Sequence, residues 1–274
     1  MMTESNATAI RLENVSLALG GRPILEDLSL EIPAAQVTAV MGPSGAGKTT
    51  VMRLITGQLK PDKGSVWLGE TRVDTLKPRQ LNRLRKNIGV LLQNGALFTD
   101  LTVFDNVALP LREHSGLPEA LIRRIVLLKL QTVGLRGAAE LYPRELSGGM
   151  NRRVAMARAM ALDPDLMLYD EPFAGLDPIS LGVSLRLIRD VNQALGTTSV
   201  VITHDVGEVA KLADLVCIIA DRKLVASGSP RELDQSDHPL VRQFVDGLPD
   251  GPVPFHYPAP PLATDMQTGR EHAQ

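Results

Sequence analysis

The sequence predicts an α/β fold: a mainly parallel sheet covered by helices, with a helical segment inserted into it. Three observations carry this. Short apolar, β-branched or Leu-rich runs recur at 37–41, 88–92, 165–169 and 198–203, separated by helical patterns, as buried parallel strands joined by helical crossovers require. The stretch 96–161 has amphipathic helical patterns and almost no strand signal. The chain has 274 residues, 44% of them hydrophobic, enough for one large core carrying a small insert.

Taken in order, residues 9 to 41 alternate apolar and polar before becoming nearly all apolar at 37–41, which runs into Gly42 and a helix beginning near Lys48. Between 117 and 134 the pattern predicts one helix with Leu121, Ile125, Leu128 and Val133 facing inward. These elements define a domain over 8–245, with the helical subdomain inserted at about 96–161. Beyond it, 246–274 forms a proline-rich tail. Six prolines within 249–261, with Phe255 and Tyr257 between them, exclude helix and central strand and predict an extended, polyproline-like segment. The two aromatics predict that 251–258 docks on a surface, ahead of a disordered end.

Bulk properties exclude several classes. A net charge of −2, from 29 basic and 31 acidic residues, gives no signal for nucleic acid or an anionic surface. The single cysteine, Cys217, lies in an apolar run and reads as a buried, inert thiol in a reducing compartment. The polar N-terminus has no basic start followed by an apolar run, so no signal peptide is expected. No uncharged apolar stretch approaches the roughly 20 residues that cross a bilayer, so any membrane role runs through a partner.

The chemistry-bearing residues sit where these strands end. Gly42-Pro43-Ser44-Gly45-Ala46-Gly47-Lys48-Thr49, followed by Thr50, matches the P-loop pattern. Its glycines allow backbone N–H groups to face phosphate, and the helix adds its positive end. Lys48 reaches the β and γ phosphates, and the Thr49 hydroxyl suits Mg²⁺. The run 166–169 ends in Asp170 and Glu171: the first suits Mg²⁺, the second a base that polarises attacking water. Of the five histidines only His204 follows a strand, where it can sense a γ-phosphate; the others lie in loop- or tail-like sequence. Gln93, after another strand, offers an amide to Mg²⁺ or water. Asp177 sits in a turn beyond the acidic pair. The basic group Lys77, Arg79, Arg83, Arg85 and Lys86 has no interleaved aromatics and reads as a solvated helix face. Finally, Leu146-Ser147-Gly148-Gly149 opens an Arg-rich helix.

This ordered set, from P-loop through Gln93, Ser147-Gly148-Gly149, Asp170-Glu171 and Asp177 to His204, resembles the nucleotide-binding subunits of ABC transporters over about residues 8 to 245. The resemblance implies a P-loop NTPase core with N-terminal antiparallel strands, ATP and Mg²⁺ as ligands, and ATP hydrolysis coupled to transport. It implies that two copies pack head to tail, with Ser147 and the Gly149 N–H touching the γ-phosphate held by the partner copy's Lys48. Asp177 then joins the shared nucleotide site.

A narrower likeness lies in Phe98-Thr99-Asp100, 110–114, 133–139, Gly148-Gly149-Met150 and 250–255, which are similar to the ATPases of the Mla branch, the maintenance of lipid asymmetry systems. It implies phospholipid transport between the two membranes of a Gram-negative bacterium. It also implies a permease dimer at whose cytoplasmic face the subunit sits, an MCE-type lipid-binding protein, a small STAS-like cytosolic subunit, and a tail that crosses to the neighbouring ATPase. Nucleic acid is not an expected partner.

Two features depart from the wider family. Met150 stands where Gln is usual, losing a polar contact. No aromatic occupies 17–22, leaving Leu19 or Arg22 to pack on adenine. Other readings are a transporter for a different substrate, a DNA-maintenance ATPase, and a non-catalytic nucleotide-binding regulator. The absence of a sustained heptad between P-loop and signature argues against the DNA-maintenance reading. Intact Lys48, Glu171 and His204 argue against the regulator.

Overall fold

The computed structural model describes residues 8–253. Two long strands, β1 (Thr8–Leu19) and β2 (Arg22–Pro33), form an antiparallel hairpin that β4 (Lys63–Leu68) and β5 (Thr71–Arg72) extend into a four-stranded sheet ordered β2-β1-β4-β5. The second sheet holds β3 (Val37–Met41), β6 (Ile88–Leu91), β7 (Leu166–Asp170), β8 (Thr198–Ile202), β9 (Leu215–Ala220) and β10 (Lys223–Gly228), in the order β10-β9-β3-β8-β7-β6. All its pairings are parallel except that of β10 with β9. Every residue of β3 and β8 is buried, as expected for central parallel strands. The sheet is wider than the four apolar runs marked by the sequence. The run around Cys217 is the fifth parallel strand, β9, and β10 closes the edge.

Helices fill the connections. They are α1 (Lys48–Ile55), α2 (Pro78–Arg85), α3 (Val103–His114), α4 (Glu119–Thr132), α5 (Gly148–Ala159), α6 (Pro178–Leu195), α7 (Val206–Leu212), α8 (Pro230–Asp234) and α9 (Pro239–Asp246). His114 thus closes a helix rather than lying in a loop. The large sheet presents Val40, Leu168, Val200, Ile202 and Ile219 to α1 and the antiparallel sheet. Its other face meets α3–α5 through Val37, Met167, Tyr169 and Val201. Ala39, Met41, Val216 and Ile218 pack with α7–α9. This alternation along each strand is the two-residue period of a sheet covered on both sides.

Helix α4 departs from the expected orientation. Ile122, Val126 and Leu130 are its buried residues, and Val133 follows them inside, whereas Leu121 is 41% and Leu128 67% exposed. Ile125 is partly buried. The helix carries aliphatic residues around much of its circumference, so spacing alone does not select the inward stripe. Contact with α3 and α5 selects it.

The start of the tail is anchored. The Gln243 amide of α9 donates to the Val253 carbonyl and accepts from its N–H, both at 2.8 Å, and Val253 packs on the α7–α9 cluster. Phe255 and Tyr257 lie outside the described residues.

Candidate active site

The loop with the P-loop pattern, Gly42 to Gly47, lies between β3 and α1. Gly47, the cap of α1, has φ 96°, and a Cβ there would stand 2.8 Å from the Leu25 side chain, so only glycine fits. Its contact with Ile24 and Leu25 also brings the β1–β2 hairpin alongside the loop; Leu19 and Arg22 at the hairpin tip are exposed. Pro43 is half-buried, and Ser44 and Gly45 are exposed. Ala46 is buried against the core. The Thr50 side chain is also buried, leaving its first-turn N–H as its means of reaching a phosphate.

Lys48 is buried, and its Nζ donates to the carbonyls of Gly42 at 2.7 Å and Pro43 at 3.1 Å. Burial holds its pKa below the ordinary lysine value, opposed by the charges of Glu171 and Asp170. A phosphate would restore the charge that burial disfavours.

The acidic pair faces this lysine from the end of β7. Asp170 closes the strand, and the nearby Thr49 hydroxyl favours its charged form. Burial raises its pKa, and the neighbouring Glu171 raises it further. Glu171 takes a left-handed backbone, φ 47°, with its N–H bonded to the Ile202 carbonyl at 2.8 Å. That conformation costs about 1–3 kcal/mol in a residue with a Cβ and is held here by the neighbouring strand β8. His204, just beyond β8, places Nδ1 3.0 Å from Glu171 Oε1. The imidazole is 62% exposed and the carboxylate 15%, so the pair opens toward solvent on the imidazole side.

Gln93 is exposed in the turn after β6. Its backbone carbonyl accepts from Arg152 at 2.8 Å. Arg152 also donates to Pro172 and Ala174, at 2.8 and 2.9 Å. Arg158 of the same helix donates to Gly95 and Ala96, both at 2.8 Å. Arg152 thus connects the loop of Gln93 to the turn after Glu171, and Arg158 holds that loop to α5, roles that their place in an Arg-rich helix did not reveal.

Ser147, Gly148 and Gly149 form a second group. Ser147 caps α5, its hydroxyl accepting from the Met150 N–H at 3.2 Å. Ser147 and Gly148 are exposed. Gly149 lies so close to α6 that a Cβ would come within 2.7 Å of Ser180 Oγ. Asp177 caps α6 through Ile179 and Ser180, each at 3.0 Å, and Ser180 holds its carboxyl below the ordinary aspartate pKa. Met150 packs against the helical core, so the residue that departs from the usual signature is used for burial. Among the described residues, no hydrogen bond or ion pair joins Ser147, Gly148, Gly149 or Asp177 to the Gly42–Thr50 loop.

The arrangement therefore offers a phosphate cradle with a lysine, a hydroxyl and carboxylate suited to a divalent cation, and a carboxylate–imidazole pair suited to water activation. Comparison with known proteins agrees with this chemistry. Residues 25–174 match the family model described as ABC transporter. The intermembrane phospholipid transport system ATP-binding protein MlaF of Escherichia coli (strain K12) is 51% identical over 268 residues, covering 98% of this chain and all of that protein. The protein of the same name from Haemophilus influenzae is 54% identical over 254 residues, covering 93% of this chain and 96% of the relative. Among solved structures, the dimeric post-hydrolysis state of the ATP-binding cassette MJ0796 bound to ADP and Pi matches with TM-score 0.74 and 30% identity, covering 81% of this chain and 99% of that one.

Proposed function

The chain belongs to the ABC transporter family, and on that premise we propose that it is the ATP-binding and ATP-hydrolysing subunit powering phospholipid transport between the inner and outer membranes of a Gram-negative bacterium. The observation that carries the hydrolytic reading is the convergence of Lys48, Thr49 beside Asp170, and Glu171 bonded to His204 around one loop. The phospholipid cargo rests on the near full-length identity to the MlaF proteins.

In this reading Gly42 to Thr50 bind the triphosphate of ATP through backbone N–H groups and Lys48. Glu171 accepts a proton from the attacking water, with His204 orienting its carboxylate. Thr49 and Asp170 would hold Mg²⁺, with the Gln93 amide as a further oxygen donor. The donor set fits: one hydroxyl beside one half-buried carboxylate, with no group of three or more His, Cys, Asp or Glu suited to a metal among the described residues. Mg²⁺ is usually held by such a sparse set together with waters and phosphate oxygens, and there it offsets the charge on the β and γ oxygens.

Two copies form the working unit. The lack of any hydrogen bond or ion pair between Ser147, Gly148, Gly149 or Asp177 and the phosphate loop among the described residues, with the likeness to a dimeric ATP-binding cassette, supports a head-to-tail dimer in which Ser147, the Gly149 N–H and Asp177 of one copy complete the site of the other. Closure of the dimer on ATP then moves the membrane partner. We read 8–245 as the ATPase domain with 96–161 as its helical subdomain, and 246–274 as the tail that reaches the neighbouring copy. No helix among the described residues is long and apolar enough to cross a membrane; the likeness to the MlaF proteins supports a place at the cytoplasmic face of the inner membrane through a permease dimer. A groove of about 740 Å³ suits that permease, with Leu92, Phe98, Leu109, Pro110 and Arg158 among its lining. Leu92 is 42% and Phe98 49% exposed there. An MCE-type lipid-binding protein and a small STAS-like subunit complete the proposed assembly.

The reading is tested by purifying the chain with its permease, reconstituting it in phospholipid vesicles and following ATP-dependent transfer of labelled phospholipid. Transfer abolished by Glu171→Gln is the expected result. ATP hydrolysis without any lipid transfer would remove the cargo assignment.

A further inference from the structure

Arg152 lies on the second turn of α5, and its guanidinium meets three carbonyls from two loops distant in sequence. Nη1 donates to Pro172 and Ala174, and Nη2 to Gln93, all within 2.9 Å. The first two carbonyls belong to the turn that presents Glu171, closed by the Ala174 N–H bonded to the Glu171 carbonyl at 3.3 Å. That turn begins in the left-handed backbone of Glu171 itself. On the other side, the loop of Gln93 carries two further left-handed residues, Gly95 and Ala96, whose carbonyls are held by Arg158. Among the described residues Arg152 has no carboxylate partner, so its contacts are all with backbone.

We propose that Arg152 is a positioning residue for hydrolysis, locking the turn that presents Glu171 to the loop that carries Gln93. A planar guanidinium can direct several N–H groups at carbonyls in fixed directions, whereas a lysine ammonium on its flexible stem cannot reproduce that fork. Displacement of the Gln93 loop is thereby transmitted, through one side chain, to the backbone that aims the carboxylate. The three hydrogen bonds of Arg152 all go to backbone carbonyls. Arg152 acts through Glu171, and the inference rests on the reading of Glu171 as the base.

The test uses the full chain purified with its permease, comparing wild type, Arg152→Ala, Arg152→Lys and Glu171→Gln for kcat, KM for ATP and melting temperature. Arg152→Ala is expected to lower kcat at least about tenfold while KM changes less than about threefold, because the phosphate cradle is untouched. Arg152→Lys is expected to restore the melting temperature while kcat stays at least about threefold below wild type. Wild-type kcat in Arg152→Ala overturns the proposal. So does Arg152→Lys restoring kcat and melting temperature together, which would mark a merely structural cation. If Arg152→Ala does not fold, the kcat of Arg152→Lys decides alone. Full turnover in Glu171→Gln instead overturns the assignment of the base, a separate failure read from its own variant.

Discussion

His204 Nδ1 and Glu171 Oε1 stand 3.0 Å apart, joining the ends of two adjacent parallel strands. The contact comes from register: Asp170 of β7 pairs with Ile202 of β8, so the residues just beyond each strand meet. Parallel pairing of two buried strands is therefore what assembles the carboxylate–imidazole pair. Glu171→Gln should lower kcat by roughly 10²–10⁴ with ATP binding retained, since it removes a proton acceptor and no phosphate contact. His204→Ala should cost at least about tenfold in kcat, again with binding retained. Single-turnover hydrolysis alongside fluorescent-nucleotide binding checks both, and loss of binding in step with turnover would point to a cradle defect instead.

Asp170→Asn should stabilise the nucleotide-free protein while abolishing hydrolysis. The carboxyl ionises near 3.8 ordinarily, and burial, reinforced by Glu171, raises that value in the folded state. The folded state then binds more protons than the unfolded chain between the two values. Stability conferred below the ordinary value is lost as pH rises through the raised one, and stays lost above it. The variant should accordingly melt a few degrees higher than wild type at about pH 7, with the difference vanishing near about pH 4. Scanning calorimetry across that range checks this; an Asn variant that melts lower at neutral pH would show that Thr49 outweighs burial.

Asn106 is fully buried on α3, accepting from the Phe98 N–H at 2.8 Å and donating to the carbonyls of Phe98, Leu101 and Thr102 at 2.9–3.2 Å. Asn106→Ala removes the side-chain partner of the Phe98 N–H and the Leu101 carbonyl, while the Phe98 and Thr102 carbonyls keep their backbone donors Leu101 and Asn106; it should destabilise by about 2–4 kcal/mol, roughly 5–10 °C in melting temperature. Because the same loop carries exposed Phe98, permease co-purification should weaken while ATP binding by the isolated chain stays intact. Thermal melts and pull-down yield measure the two effects.

The residues of the phosphate cradle and the acidic pair were readable from the chain because phosphate geometry demands glycines, a lysine and a hydroxyl at fixed spacing. Their placement at strand ends followed from buried apolar runs that could be little else. Other features depend on tertiary partners. The inward face of α4 could not be read, since Leu121 and Leu128 are as apolar as Ile122 and Val126. Arg152 was invisible as a link because its acceptors are backbone carbonyls, which carry no residue identity. Met150 read as a lost polar contact until its packing against the helical core supplied a use for it. The expected docking of Phe255 and Tyr257 lies beyond residues 8–253, with only the anchored Val253 showing where that segment leaves the core.

The most direct test of the shared site counts ATP in mixed dimers. On the proposed reading, Lys48→Ala should disable the loop of its own copy, and Ser147→Arg the signature that serves the partner. With Glu171→Gln in both chains to prevent turnover, neither variant paired with itself should occlude ATP. A dimer of one Lys48→Ala and one Ser147→Arg chain retains one intact loop facing one intact signature, and should occlude one ATP per dimer. No occluded ATP in that mixed dimer, beside occlusion in the Glu171→Gln dimer alone, would contradict a site built from two chains.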